Sequence, residues 1–582
     1  MTYLFRRFLF ATHFTLAFII GYIPAWGESA AEHAGLNNEA VAVLCPGVFR
    51  QSLQPWIDYR ISQGYKIYLL EEPKSAQFIE KTSDGRVHNI VPSVTPEYLK
   101  KRIRELAGKD PALKYLLIIG DGAPDVTSEP MAAARLIPPA VVPARVVSMF
   151  GRKDKEIPSD NYYADLDDDH VPELAVGRIS VSTPAELEII VQKILTYEHN
   201  SDNSFWKRRL NFIAGVGGFS PLLDGVIEST AKHVLSEMIS EGYDLSLTQA
   251  NWKSPFCPDP ELFRSVTVER LNEGCLFWVY LGHGYHKALD LMRTPEGNFP
   301  VFAEGDSGYV DCRSGLPIAV FCACYTGAFD GPENCLAESL IRRPKGPVAV
   351  IAATRVAMPY GMAVFGTGFI EHALSREPHN LGTIFLNAKR NMILPQKNSV
   401  PKQSIRGMID SVAWWTDPTS RKLNDQLIDH LYLFQLFGDP LLKVPFPQNM
   451  TVTCKEKAVP GEIIQVSGQV DFDGPIYVEL VKPRTAQPLS VPDRKKFQLT
   501  EKSRIEYMKE YRAANNRAIL YVPGRVVNGR FQVPVKIPDD LDGDYLFRCF
   551  TVSPEGTSSI GSRPFHVTPP VDTAQSLHSI VR

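Results

Sequence analysis

GCLFWVYLGHGYHKALD (residues 274–290) and LPIAVFCACYTGAFD (residues 316–330) are two copies of one pattern separated by a polar insert. Each is an apolar, β-branched and aromatic run that ends abruptly in small residues and one reactive side chain. The first run, Cys275 to Leu281, breaks at Gly282-His283-Gly284, and the second, Leu316 to Ala323, breaks at Cys324, with Gly327 shortly after. Short continuous apolar runs bounded by turn residues read as strands buried on both faces. In open α/β sheets, ligands bind beyond the carboxyl ends of such strands. His283 and Cys324 lie 41 positions apart, yet two adjacent strand ends would bring them into one crevice as a nucleophile and its base.

The chemistry expected of that pair is attack by the Cys324 sulfur on a carbonyl carbon. His283 would hold the thiolate as an ion pair and later protonate the leaving amine. The backbone amides of Gly284 and Cys324 are the candidate oxyanion donors. Two other readings stand beside it. Cys322, on the same strand face, is a rival nucleophile, although it lies deeper and a buried Cys is most often a small apolar residue. His283, His286, Cys322 and Cys324 are zinc-ligand types, but C-x-C and H-x-x-H are not zinc-ribbon spacings.

Working outward, the flanks alternate strand and helix. Ala40–Leu44, Tyr65–Leu70 and Tyr115–Ile119 read as strands, with helices from Ser52 to Gln63 and after Thr95-Pro96, an N-cap followed by a proline at the first helical position. Strand, helix, strand, helix, strand predicts a parallel sheet. Thr183-Pro184-Ala185-Glu186 is a capping box. A second set begins with the strand Leu210–Ala214, a Gly-rich turn without the Lys-Ser/Thr of a phosphate loop, and a helix from about Ile227 to Ile239. Helices near Glu333–Arg343, Val364–Ser375, Leu381–Ile393 and Asn424–Phe437 and a strand at Pro347–Ala352 complete this part. Between the sets, Asp165, Asp167, Asp168 and Asp169 offer the hard oxygens calcium takes. The EF-hand spacing is absent, so a solvated acidic turn is the competing reading, and Asp165, Asp167 and Asp169 are the candidate metal ligands.

The texture becomes all-β from about Gln448, with Asn528-Gly529 and Asp542-Gly543 as expected hairpin turns and a charged insert at Arg494–Arg517. About 120 residues of this kind suggest an immunoglobulin-like sandwich. At the other end, Arg6 and Arg7 precede an apolar run, Phe8 to Ile23, followed by small residues, which describes a secretory signal peptide cleaved after Gly27. With 582 residues and 44% apolar content the chain can build several cores, and a net charge of −3 gives no electrostatic footprint for nucleic acid. Nine cysteines leave at least one unpaired in an exported protein, and Cys454 with Cys549 is a candidate bridge.

With these pieces in place, the sequence resembles the gingipain-type cysteine peptidases (clan CD, peptidase family C25, caspase-like fold) over most of residues 40–445. The matching segments, in the family's order, are YLLIIGDGAPD, SDNYYADLDDDHVPELAVGRIS, KILTYE, YLGHG, ACYTGAFD, CLAESLIR, GPVAVIAATR and LFGDPLL. The resemblance implies that His283 in GHG is the catalytic histidine and Cys324 in AC-x-x-G-x-F the nucleophile. An immunoglobulin-like domain after the peptidase domain also fits. Three positions depart from the pattern. Gly217 stands where the family carries a catalytic Glu, Glu228 is the nearest match to the acid of the arginine pocket, and the aromatic residue covering that pocket is replaced near Pro359.

The expectation is therefore an exported cysteine endopeptidase acting on protein or peptide substrates, with no membrane span once the signal is removed. It would need no cofactor, with a structural calcium at Asp165, Asp167 and Asp169 as the metal expectation. Its parts would be a signal peptide (1–27), two α/β subdomains (28–205 and 206–447) with parallel sheets flanked by helices, the sandwich (448–568) and a disordered tail (569–582). The alternatives are a transpeptidase of the same family and a non-catalytic binding protein that retains the fold.

Overall fold

The structure, a computed structural model, describes residues 38–70, 79–81, 87–90, 95–123, 136–150, 154–199, 205–217, 237–375, 380–394, 400–485 and 497–568. The expected signal segment, Glu228, most of the helix expected near Ile227–Ile239 and the tail lie outside these residues.

One ten-stranded sheet organises residues 40–437. Its strands are β1 (Ala40–Leu44), β2 (Lys66–Leu70), β3 (Leu113–Ile119), β4 (Ala175–Ile179), β5 (Arg209–Ala214), β6 (Asp244–Gln249), β7 (Phe277–Leu281), β8 (Ile318–Cys322), β9 (Ala349–Ala353) and β10 (Phe434–Phe437). They lie in the order β6-β5-β7-β8-β9-β10-β4-β3-β1-β2. Every neighbouring pair is parallel except β9 and β10, which run antiparallel with Val350 opposite Phe437 and Ala353 opposite Phe434. The expected parallel sheets are thus two parallel halves fused edge to edge. The carboxyl ends of β5, β7, β8 and β9 consequently share one edge with the amino ends of β10 and β4.

Two-sided burial explains the uninterrupted apolar runs. In β1, Val41 and Val43 pack with Leu53, Trp56, Leu187 and Ile190 of the helices Arg50–Ser62 and Pro184–Glu198. Ala40, Ala42 and Leu44 face Leu99 and Ile103 of the helix Pro96–Lys109. Alternate side chains enter opposite layers, and both layers are covered. Thr95 caps its helix and the Thr183/Glu186 capping box forms as the spacing predicts.

Two expectations are corrected here, and one element was not foreseen. The segment expected as a helix from Asn424 to Phe437 is helical only over Leu423–Leu433; Phe434–Phe437 turns into β10, the strand that joins the halves. A helix at Val400–Thr416 has no counterpart in the sequence reading. Asp542-Gly543 is not a hairpin turn, because the strands on either side, Arg530–Lys536 and Gly543–Val552, belong to different sheets. Asn528-Gly529 does make a tight two-residue turn, with φ of 52° and 70° and reciprocal backbone bonds between Val527 and Arg530, although the strands it links, Ala518–Val526 and Arg530–Lys536, then run into different sheets.

The C-terminal unit is all-β, with one six-stranded and one three-stranded sheet around a core that includes Val466, Val478, Val533 and Phe547. Cys454 and Cys549 both remain thiols. The unit is tied to the α/β part by buried charge. Glu479 accepts from Arg208 at 2.6 and 3.0 Å and from Arg548 at 2.6 Å, and Arg548 also reaches Asp244 of β6 at 3.1 Å. The charged insert folds as the helix Glu501–Asn515 against the outer edge of the sheet. Its Asn515 side chain accepts from the Leu247 amide and donates to the Leu247 carbonyl, standing in for a further strand at β6.

Candidate active site

β7 and β8 are neighbours, and their register pairs Leu281 with Cys322. His283 and Cys324 each lie two residues beyond that pair, so both emerge from the same edge. The ladder continues one step, with the Gly282 amide donating to the Cys322 carbonyl at 3.2 Å. The two turns then touch at Gly284, where an added Cβ would lie 2.6 Å from the Cys324 carbonyl oxygen and 2.8 Å from Ala323 Cβ. Only a glycine permits this approach, and it sets the histidine turn against the cysteine turn.

Cys324 is half-buried and its sulfur meets the segment after β9. The Ala357 amide donates to Sγ at 3.4 Å, and the thiol lies 3.6 Å from the Ala357 carbonyl. Burial raises the Cys324 pKa; the Ala357 amide works against that rise, and the charge of Asp290 adds to it. The helix Pro359–Ala373 begins two residues after Ala357, so a helix N-terminus lies beside the sulfur, where it favours negative charge. Tyr325 has φ of 57°, an uncommon value for a non-glycine residue that bends the chain sharply after Cys324. Its amide donates to the Arg355 carbonyl at 3.2 Å and its hydroxyl to Asp154.

Cys322 is 1% exposed, and burial pushes its thiol up to about 12, so it is a core residue and not the nucleophile. The zinc constellation is not assembled either. Among the described residues, the one group able to converge on a metal is Asp165, Asp167 and Glu173. His286 instead leaves its ring Nε2 buried without a hydrogen-bond partner among the described residues, and its backbone carbonyl accepts from the Leu336 amide at 2.9 Å, bracing the segment that follows Cys324.

The acidic turn corrects the expected ligand set. Asp165, Asp167 and Glu173 bring carboxylate oxygens within 4.8 Å of one another, whereas Asp169 accepts from the Val171 amide at 2.8 Å. One Asp165 oxygen is buried with no hydrogen-bond partner, and burial raises the pKa of both Asp165 and Glu173. A hard cation would satisfy both features, so this donor set fits calcium. Asp168 is engaged elsewhere, in ion pairs with Lys100 at 2.7 Å and Arg104 at 2.5 Å.

Three participants escape a sequence reading. His430 accepts from the Met358 amide through Nε2 at 3.0 Å and donates from Nδ1 to the Gln426 carbonyl at 2.7 Å, the tautomer those partners require. A Cβ at Gly361 would lie 2.4 Å from its ring, so the segment touching Cys324 rests directly on it. Arg178, 1% exposed, grips Asp160 with two 2.7 Å bonds and lies 4.8 Å over the ring of Phe329, from the Cys324 turn. Asp290, 6% exposed, gathers three donors on one oxygen: the amides of Val216 (2.9 Å) and His283 (3.1 Å) and the hydroxyl of Tyr280 (3.2 Å). Gly217 is exposed and places no carboxylate there.

The chain belongs to peptidase family C25, whose family model matches residues 35–445. It is similar to Lys-gingipain of Porphyromonas gingivalis, 22% identical over 329 residues, covering 56% of this chain and 16% of that protein. It is also similar to gingipain R2 of the same organism, 22% identical over 428 residues, 72% of this chain and 48% of that one. The chain therefore spans less than half the length of these relatives. Among solved structures, the complex of P. gingivalis RgpB pro- and mature domains matches 91% of this chain and 100% of that one, at 17% identity and a TM-score of 0.49. No helix among the described residues is long and apolar enough to cross a membrane.

Proposed function

We propose that the protein is an exported cysteine endopeptidase in which Cys324 is the nucleophile and His283 the general base and acid. The observation that carries this is the Leu281–Cys322 register together with the close approach of Gly284 to Cys324, which puts His283 and Cys324 on abutting turns at one sheet edge. Because burial keeps the resting Cys324 protonated, His283 takes the thiol proton as the sulfur attacks the peptide carbonyl. The S–C bond forms, and the developing oxyanion is met by the amides of Gly284 and Cys324. The imidazolium returns the proton to the leaving amine as the C–N bond breaks, and water resolves the acyl-enzyme through the same histidine. This is a change of detail from the preformed ion pair that the sequence alone suggested.

Residues 1–27 serve as the export signal, and the all-β unit is an immunoglobulin-like module. Asp165, Asp167 and Glu173 hold a structural calcium; the ion would supply positive charge to three crowded carboxylates and takes no part in bond making. The names of the relatives point to Lys or Arg before the scissile bond, with Glu228 as the acid that selects it.

The test is cleavage of a mixed peptide library by the mature protein under reducing conditions, beside Cys324→Ala and with or without calcium. Cleavage that disappears in the variant supports the peptidase, and the cut sites report any basic preference. An added amine acceptor that diverts product to a new amide makes the protein a transpeptidase. No turnover, together with a Cys324 inert to a thiol-directed substrate analogue, would reduce it to a binding protein.

A further inference from the structure

Beneath the His283 turn lies a buried carboxylate that the catalytic reading leaves without a task. Asp290 is seven residues past His283, and the chain doubles back so that its side chain sits between the ends of β5 and β7. The site around it is built. Gly215 and Gly282 both lack a Cβ where one would stand 2.5 and 3.0 Å from Asp290 Oδ2, so both strand ends leave room for that oxygen. The Val216 and His283 amides and the Tyr280 hydroxyl point at it. The single Tyr280 hydroxyl proton is shared between Asp290 Oδ2 and the nearer His283 carbonyl at 2.8 Å, so the histidine's own peptide is held at both ends by this cluster.

Resting on the peptidase reading above, we propose that Asp290 is the positioning acid of the dyad: it fixes the His283 turn through the backbone and places a negative charge next to that residue, stabilising the imidazolium formed when Cys324 gives up its proton. Three neutral donors do not cancel a full charge in a dry site, and such a charge acts at short range with little screening. The titratable groups that face Asp290 are Tyr280 on the preceding strand, His283 on the turn and Cys324 on the neighbouring strand end. The Val216 turn contributes an amide and no titratable side chain among the described residues. Burial raises the Asp290 pKa, while the charge of His283 and the three donors work to keep the carboxylate ionised.

The sign of the effect is fixed by electrostatics. A negative charge favours the protonated form of every group it faces, so removing it moves each inflection of a dyad-dependent pH profile to lower pH. The experiment follows alkylation of Cys324 by iodoacetamide against pH, read by peptide mass spectrometry on the full chain, with kcat/KM for a cleaved peptide alongside. Asp290→Asn retains an acceptor for the two amides and loses the charge. Its inflections are expected to fall by roughly 1 pH unit, and kcat/KM by about 100-fold, the low end for a positioned acid–base system. A folded Asp290→Asn protein with inflections at the wild-type pH overturns the proposal, since a purely structural role would lower the rate without moving the profile.

Tyr280→Phe covers the case in which Asp290→Asn does not fold. It strips a donor from Asp290 and so changes the charge the dyad meets: the inflections rise where the carboxylate stays ionised and fall where it takes up a proton. Inflections at the wild-type pH refute the assignment. His283→Ala separates this proposal from the one beneath it. If His283→Ala leaves the alkylation profile of Cys324 unchanged, there is no dyad and both readings fall. If it changes the profile while Asp290→Asn does not, only the role of Asp290 falls.

Discussion

Gly284→Ala tests the geometry on which the active site rests. The backbone of Gly284 is not in the left-handed region, so alanine meets no torsional obstacle and the effect is steric. Its methyl would stand 2.6 Å from the Cys324 carbonyl oxygen, 2.8 Å from Ala323 Cβ and 3.0 Å from Thr326 Cγ2. Ordinary carbon–carbon contact begins near 3.5 Å, so the two turns must part by about 0.7 Å. A misplacement of about 1 Å costs on the order of 100-fold in rate, whereas overpacking of this size costs about 1–3 kcal/mol of stability. We expect kcat/KM to fall at least 30-fold with the protein still folded. Peptide cleavage and thermal unfolding are measured on the same preparation, and alkylation of Cys324 shows that its thiol is intact. A variant within about threefold of wild-type kcat/KM, against the expected loss, would mean that the turns need not touch for the chemistry.

Other perturbations probe the scaffold. Glu479→Gln leaves Arg208 and Arg548 without their shared buried carboxylate, and should cost about 3 kcal/mol in denaturant unfolding; a loss below about 1 kcal/mol would show that water replaces the carboxylate there. Glu338, fully buried, is pushed up to about 7 by burial and the charge of Asp121. The folded state thus keeps a proton that the unfolded chain releases near its ordinary 4.5, and this stabilisation is lost as pH rises from there through about 7. Glu338→Gln keeps an acceptor for Ser180 and should gain on the order of 2 kcal/mol relative to wild type between pH 5 and pH 8. Parallel pH curves for the two proteins would remove Glu338 as a source of pH dependence. Calcium at a hundredfold excess over its Kd should stabilise wild type by about 2.7 kcal/mol, and Asp165→Asn should abolish the gain. A calcium effect that persists in that variant would put the ion elsewhere.

How much of this was legible beforehand follows from the range of each interaction. Runs such as FWVYL and IAVFC announce buried strands because two covered faces demand apolar residues at every position. The caps at Thr95 and Thr183 are local, made within one turn of the chain. The placement of His283 and Cys324 was legible too, because each residue ends its run two positions past the paired residues Leu281 and Cys322.

Long-range pairing decided the rest. Phe434–Phe437 extends an apolar helical pattern, and only the opposing β9 strand makes it β10 and reverses the direction of half the sheet. The third carboxylate that converges with Asp165 and Asp167 is Glu173 instead of Asp169, because the turn folds back and commits the Asp169 carboxylate to a backbone amide. Asp290 carries no signal along the chain; its task depends on two glycines and an amide from another strand, brought together by the sheet. The sequence by itself determined the strands that end at His283 and Cys324 and the turns that follow them, because burial and local turns are written residue by residue. The electrostatic setting of that pair was decided only by tertiary structure, because a charge acts through space on whatever folding brings within a few ångströms of it.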